Sequence, residues 1–158
     1  MVGVACTPPD FLRDLSNIFS ASIIFSSMRI PEEAYDPNRG QWMAERILNK
    51  MKEIEWNADR VVGILDVDIF VRGLNFVFGL AEIGGKHCVV SIFRLRTPDE
   101  NLFKERVMKE VIHELGHTFG LGHCPNKNCV MSFSNSIKEV DRKGSNFCEE
   151  CVTRLVEM

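Results

Sequence analysis

Three of the four histidines in this 158-residue chain, His113, His117 and His123, fall within eleven residues. On a helix His113 and His117 are four positions apart, so both imidazoles leave one face and can reach a single ion. Glu114 is rotated off that pair but stays near the open side of such an ion, where a general base would sit. Neutral imidazoles at this spacing suit Zn²⁺, and three protein ligands leave one position for water. A continuing helix would carry His123 away from the ion. Gly120 can take positive φ without strain, so it is expected to end the helix and turn the chain back, with Gly122 as a second permissive joint. The alternatives for HExxHxxGxxH are a chance cluster or a purely structural zinc.

A second constellation follows at once. Cys124 and Cys129, then after eighteen residues Cys148 and Cys151, give two pairs of thiols. The CxxC pair alone reads equally as a redox motif or a disulfide. As a quartet it fits a closed tetrahedral zinc site that holds a C-terminal segment too short and polar to build its own core. Two Zn²⁺ per chain are therefore expected, one catalytic and one structural, and the adjacency of His123 and Cys124 makes them share a framework.

The elements that must position these groups follow from periodicity. Val2 to Cys6 reads as a first strand, residues 10–19 as an amphipathic segment, and Ala21 to Phe25 as a second strand. Arg29 to Gly40 is a polar loop, and Gln41 to Trp56 a helix with Trp42, Ile47, Leu48, Met51 and Ile54 turned inward. Arg60 to Val67 is apolar enough for a strand buried on both faces, which argues for a largely parallel sheet. Phe76 to Ile83 and His87 to Phe93 flank Gly84-Gly85-Lys86 as a hairpin, so one strand runs antiparallel. A helix from about Asn101 to Phe119 should bury Met108, Ile112, Leu115 and Phe119. Its opposite side, Arg106, Glu110, His113 and His117, should be open.

Composition narrows the classes. With 45% hydrophobic residues, 158 positions suffice for one domain with a core. A net charge of −3 gives no hint of nucleic acid or a membrane surface, and no apolar run is long enough to span a bilayer. The start, MVGVACTPPD, lacks the features of a signal peptide, and the cysteine spacing favours metal over disulfides, so a cytoplasmic setting is expected. His87 reads as structural, Cys6 and Cys88 as core thiols, and Asp66 and Asp68 as a capped or salt-bridged loop.

HELGHTFGLGHCPNKNCVMSFSNS, followed by DRKG and FCEEC, resembles the archaemetzincin family of zinc metalloproteases within the metzincin clan. The upstream LNFVFGLAEIGGKHCVVSIFRLR is similar to that family as well. The resemblance implies an α/β fold: a twisted, mostly parallel mixed sheet with an antiparallel edge strand, packed by helices that include the active-site helix. Within one metalloprotease domain, residues 1–122 would form the larger part and 123–158 a small zinc-stabilised C-terminal subdomain. It implies a metallopeptidase in which His113, His117 and His123 bind the catalytic zinc and Glu114 activates the zinc-bound water. Cys124, Cys129, Cys148 and Cys151 would bind the second zinc, and Met131 matches the methionine beneath the histidines. Phe78, Gly79 and Ala81, on the edge strand, are candidates for pairing with an extended substrate. The partner implied is a peptide or protein substrate, with the chain acting as a monomer. Some metzincins carry a tyrosine two residues after the methionine, where this chain has Phe133. That departure keeps a second reading open, a zinc-stabilised peptide-binding module with little hydrolysis.

Overall fold

A computed structural model describes the backbone of residues 2–4 and residues 10–157. Its main sheet has five strands: β1 (Val2–Val4), β2 (Ser26–Met28), β5 (Val61–Leu65), β7 (Gly79–Ala81) and β8 (His87–Ser91). The order is β2-β1-β5-β8-β7. All neighbours are parallel except β7, which runs antiparallel to β8 at the edge. A second, three-stranded sheet joins β3 (Tyr35–Asp36), β4 (Gln41–Met43) and β6 (Ile69–Phe70). The helices are α1 (Leu15–Ile18), α2 (Ala44–Lys52), α3 (Glu100–Thr118), α4 (Ile137–Arg142) and α5 (Glu149–Val156).

Period-two alternation decides where the sheet goes. All five residues of β5 are buried. Val62 and Ile64 pack with α3, whereas Val61 and Leu65 pack with α2. Cys88 and Val90 of β8 join the α3 side and Val89 the α2 side. A central parallel strand needs apolar side chains on both faces because helices cover both. The expected mixed sheet with an antiparallel edge, and the buried strand within 60–67, are what the chain forms.

Three expectations shift. Regular strand structure falls at Ser26–Met28 rather than Ala21–Phe25, since β2 takes its position from pairing with β1. The helix placed over 41–56 begins only at Ala44 and ends at Lys52. Gln41–Met43 pairs instead with β6, and Trp42 N–H donates to Asp68 O at 2.9 Å. Helical periodicity cannot see a partner strand 27 residues downstream. Among the described residues, the first strand ends at Val4, and Cys6 lies outside them.

The third shift concerns α3. Asp99 caps its N-terminus, accepting from the N–H groups of Asn101 and Leu102 at 3.1 Å each. From Arg106 to Thr118, however, every residue but Met108 is buried, so the side expected to be open is largely covered and meets only a cleft at Glu110, His113 and His117. The C-terminal chain covers it. Arg106 pairs with Asp141 at 2.8 Å, Lys109 Nζ donates to the Val140 and Asp141 carbonyls, and Glu110 meets Lys143 at 2.9 Å. Buried charge on this face is tolerated because each group finds a partner.

Candidate active site

At the end of α3, Gly120 sits at φ +95°, and the N–H groups of Gly120 and Leu121 close back on the His117 and Gly116 carbonyls at 2.9 and 3.1 Å. The helix stops there and the chain reverses, which carries His123 back toward His113 and His117. Gly122 is not among the positive-φ glycines, so the second joint is not used. The ligand atoms of the three histidines lie within 4.8 Å of one another.

Tautomers are set by backbone carbonyls. His113 Nδ1 lies 2.8 Å from Val130 O and His117 Nδ1 lies 2.7 Å from Leu121 O, so each Nδ1 must carry the proton. The two Nε2 atoms are then lone-pair donors, and they face each other at 3.1 Å. Nothing among the described residues lies between them to offset that repulsion; a cation would. Burial lowers the proton affinity of all three imidazoles, most strongly for His113, and the Lys143 charge adds to it. They are held in the neutral, ligating form, and the donor set fits zinc.

Glu114 is buried beside them, and burial pushes its carboxyl well above the usual range, with Glu110 adding to the rise and Lys143 opposing it. A dication among the histidines acts against the rise. These residues line a cleft of about 370 Å³. Its other walls include Phe76 to Ala81 and the segment from Phe133 to Asn135. Phe78, Gly79 and Ala81 are thus brought to the cleft, Gly79 and Ala81 on the edge strand β7 and Phe78 just before it. Phe133 is 44% exposed, with its ring 5.0 Å from that of His123.

Two glycines matter for reasons that spacing did not disclose. A Cβ on Gly79 would stand 2.7 Å from Glu114 Oε1 and 2.7 Å from Val89 O. Only glycine lets the edge strand close over that carboxylate. Within α3, a Cβ on Gly116 would meet Met131 Sδ at 2.4 Å. Met131 is fully buried and lies against the helix at Gly116, between the two histidines in sequence. A mid-helix glycine costs about 1 kcal/mol relative to alanine. That cost was the available signal for a close approach at Gly116.

The four cysteines also converge. Cys124 and Cys148 sulfurs are 3.7 Å apart, and those of Cys129 and Cys151 3.8 Å. A disulfide would need about 2.05 Å. Tetrahedral sulfurs at the usual zinc distance of about 2.3 Å stand about 3.8 Å apart. The Met131 and Cys148 N–H groups point at Cys129 Sγ from 3.4 and 3.3 Å, donors that favour a thiolate. A backbone hydrogen bond from Cys151 brings the Cys148 thiol down to about 7. This donor set fits zinc too.

The residues read as bland behave so. His87 bonds Glu82 at 2.9 Å, Arg94 grips Asp68 at 2.7 Å, Arg96 pairs with Asp66, and Cys88 is a buried core thiol. Spacing gave no sign that Lys143 would be buried at the centre of the molecule, 2% exposed, because its partner Glu110 lies on another element.

Comparison with known proteins shows the family. Residues 17–157 match the model of peptidase family M54. An archaemetzincin of Methanopyrus kandleri is 53% identical over 127 residues, 80% of this chain and 73% of its own length. Its crystal structure superposes with a TM-score of 0.89, covering 99% of this chain and 92% of that one at 42% identity. The archaemetzincin of Archaeoglobus fulgidus, solved in complex with malonate, gives 0.88 at 39% identity, covering 97% of each chain.

Proposed function

We propose, on the premise that this chain belongs to peptidase family M54 and is a zinc metallopeptidase, that Glu114 is its general base and His113, His117 and His123 hold the catalytic metal. The observation that carries this reading is the pair of Nε2 lone pairs facing each other at 3.1 Å, beside a buried carboxylate in one cleft. When bound, the zinc would lower the pKa of a water toward ~7 and polarise the scissile carbonyl. Glu114 takes the water's proton and returns it to the leaving amine. Gly79 leaves Glu114 the space that a Cβ would take. The free edge of β7 takes an extended peptide as an additional strand, with Phe78, Gly79 and Ala81 facing it. Phe133 offers no hydrogen-bond donor, so no tyrosine-type hydroxyl shares the developing charge there.

Cys124, Cys129, Cys148 and Cys151 hold a second zinc in this reading, and Met131 forms the floor beneath the histidines. Residues 1–122 supply the sheet, the edge strand and α3, and 123–158 a small part tied down by the thiolate site. One apolar cluster runs through both, in support of a single peptidase unit, and a monomer in the cytoplasm completes the proposal. No helix among the described residues is long and apolar enough to cross a membrane. Family membership removes the ground for a binding module without hydrolysis. Glu114→Ala should keep both metals and the fold while lowering turnover of a peptide substrate by at least about 10²-fold. Full turnover in that variant, with zinc content verified, would sink the assignment of the base.

A further inference from the structure

One wall of the cleft is the chain between β6 and β7, residues 71–77. From it Val71, Leu74, Asn75, Phe76 and Val77 line the same space as Glu114 and the histidines. Leu74 is 44% exposed, and Gly73 beside it turns the chain at φ +88°. Backbone hydrogen bonds fix this segment at two points, Leu74 N–H to Val71 O at 3.2 Å and Val77 N–H to Ile69 O at 3.0 Å.

A chain of four polar side chains, none of which lines the cleft, grips the same segment. Arg39 Nη2 donates to the Leu74 and Asn75 carbonyls at 2.8 and 3.1 Å. Gln41 Nε2 donates to the Asn75 carbonyl at 2.8 Å and to Asp68 Oδ2 at 3.0 Å, while its Oε1 accepts from Arg39 Nε at 2.9 Å. Asp68 is held in turn by Nε and Nη2 of Arg94, each at 2.7 Å. The Arg94 guanidinium then stacks on the Phe76 ring, 4.0 Å from its centre. The chain thus begins on two carbonyls of the wall and ends on an aromatic ring of the same wall. The buried amide of Gln41 uses both its donors and its acceptor, and a network satisfied in this way fixes its members in one arrangement.

We infer that Arg39, Gln41, Asp68 and Arg94 are positioning residues that hold the 71–77 wall in the shape that receives apolar side chains of the substrate. This rests on the peptidase reading above and adds to it the residues that shape the binding cleft. The wall offers Leu74 and Phe76, so burial of an apolar side chain against it is favourable. A wall ordered in advance spares the peptide the entropy of ordering it on binding. Arginine suits the first link because its planar fork reaches the carbonyls with one nitrogen and Gln41 with another, which a lysine ammonium does not reproduce. The three-stranded sheet gains a role as well, since β4 carries Gln41 and the turn before it carries Arg39.

The test uses the zinc-loaded protein and three ligands. Acetohydroxamate reaches only the metal. Two peptide hydroxamates bear leucine side chains and run from the metal-binding group in opposite directions along the cleft. Affinities are read by titration calorimetry, so no turnover is needed. Arg39 and Arg94 are both exposed, so Arg39→Ala and Arg94→Ala leave the core intact. In each variant at least one peptide hydroxamate should weaken about tenfold, the lower end for hydrogen bonds from a charged group, with acetohydroxamate unchanged. Arg39→Lys should fall between native and Arg39→Ala. Hydrogen exchange in residues 71–77 should quicken while that of α3 stays native. Undiminished binding of both peptide hydroxamates, an equal loss for all three ligands, or unchanged exchange in 71–77 would overturn the positioning role. Failure of every hydroxamate to bind the native protein would instead overturn the peptidase reading.

Discussion

The histidine cluster and the cysteine cluster meet at the His123–Cys124 peptide bond, yet they are built in opposite ways. The histidines are neutral, two are pinned through Nδ1 to carbonyls, and His123 is exposed at the mouth of a cleft. An ion there keeps its full 2+ charge and an open side. The cysteines offer four sulfurs that, as thiolates on a metal, would cancel its charge and close the coordination sphere, with backbone N–H groups directed at Cys129 Sγ. A metal held in the first arrangement would be open to substrate. A metal held in the second would spend its binding energy on holding α5 and the chain beneath the histidines in place.

The sharpest way to break this comparison is to remove one metal at a time. Chelator near neutral pH should empty the histidine site first, abolishing turnover while circular dichroism stays native. Cys151→Ser should cost up to ~10 kcal/mol of the folding energy of the C-terminal part, seen as a large fall in Tm and the loss of one zinc per chain by atomic absorption. Simultaneous loss of both metals, or unchanged stability in Cys151→Ser, would show that the division of labour is wrong.

A smaller effect should confine itself to the open site. Gly79→Ala puts a methyl 2.7 Å from Glu114 Oε1, so turnover should fall about 10²-fold, as for a misplaced catalytic group, with zinc stoichiometry intact. Gly116→Ala strikes the layer shared by the two sites, where Met131 lies between helix and cysteines. Overpacking there should cost about 1–3 kcal/mol by chemical denaturation, less whatever helix propensity alanine returns.

The smallest effect concerns the ionic seam that joins the two regions. The Arg106 guanidinium beside Asp141 holds that carboxyl below its usual range. A carboxyl depressed in the folded state stabilises above its unfolded pKa of about 4 and loses that contribution as pH falls through the lower folded value. The Tm difference between native protein and Asp141→Asn should therefore be modest at pH 7 and close below about pH 4. A gap that persists into acid would place the effect of the variant elsewhere than in the ion pair.

Much of this molecule was legible in the chain itself. Three histidines, Glu114 and Gly120 lie within eleven residues, and helix geometry with one glycine turn brings them together. The four cysteines declare themselves by type and pairing. Val61–Leu65 and the hairpin at Gly84-Gly85-Lys86 follow from local pattern. These features depend on neighbours along the sequence, where spacing is geometry. What only the tertiary structure decided depends on partners far away. Gln41–Met43 is a strand because β6 lies beside it, despite a helical pattern. Arg106, Lys109 and Glu110 are buried because Asp141 and Lys143, more than thirty residues on, fold over them. Gly79 and Gly116 are glycines because Glu114 and Met131 occupy the space a Cβ would take. Periodicity reports how a segment divides its own faces, and it carries no record of which distant group will press against them.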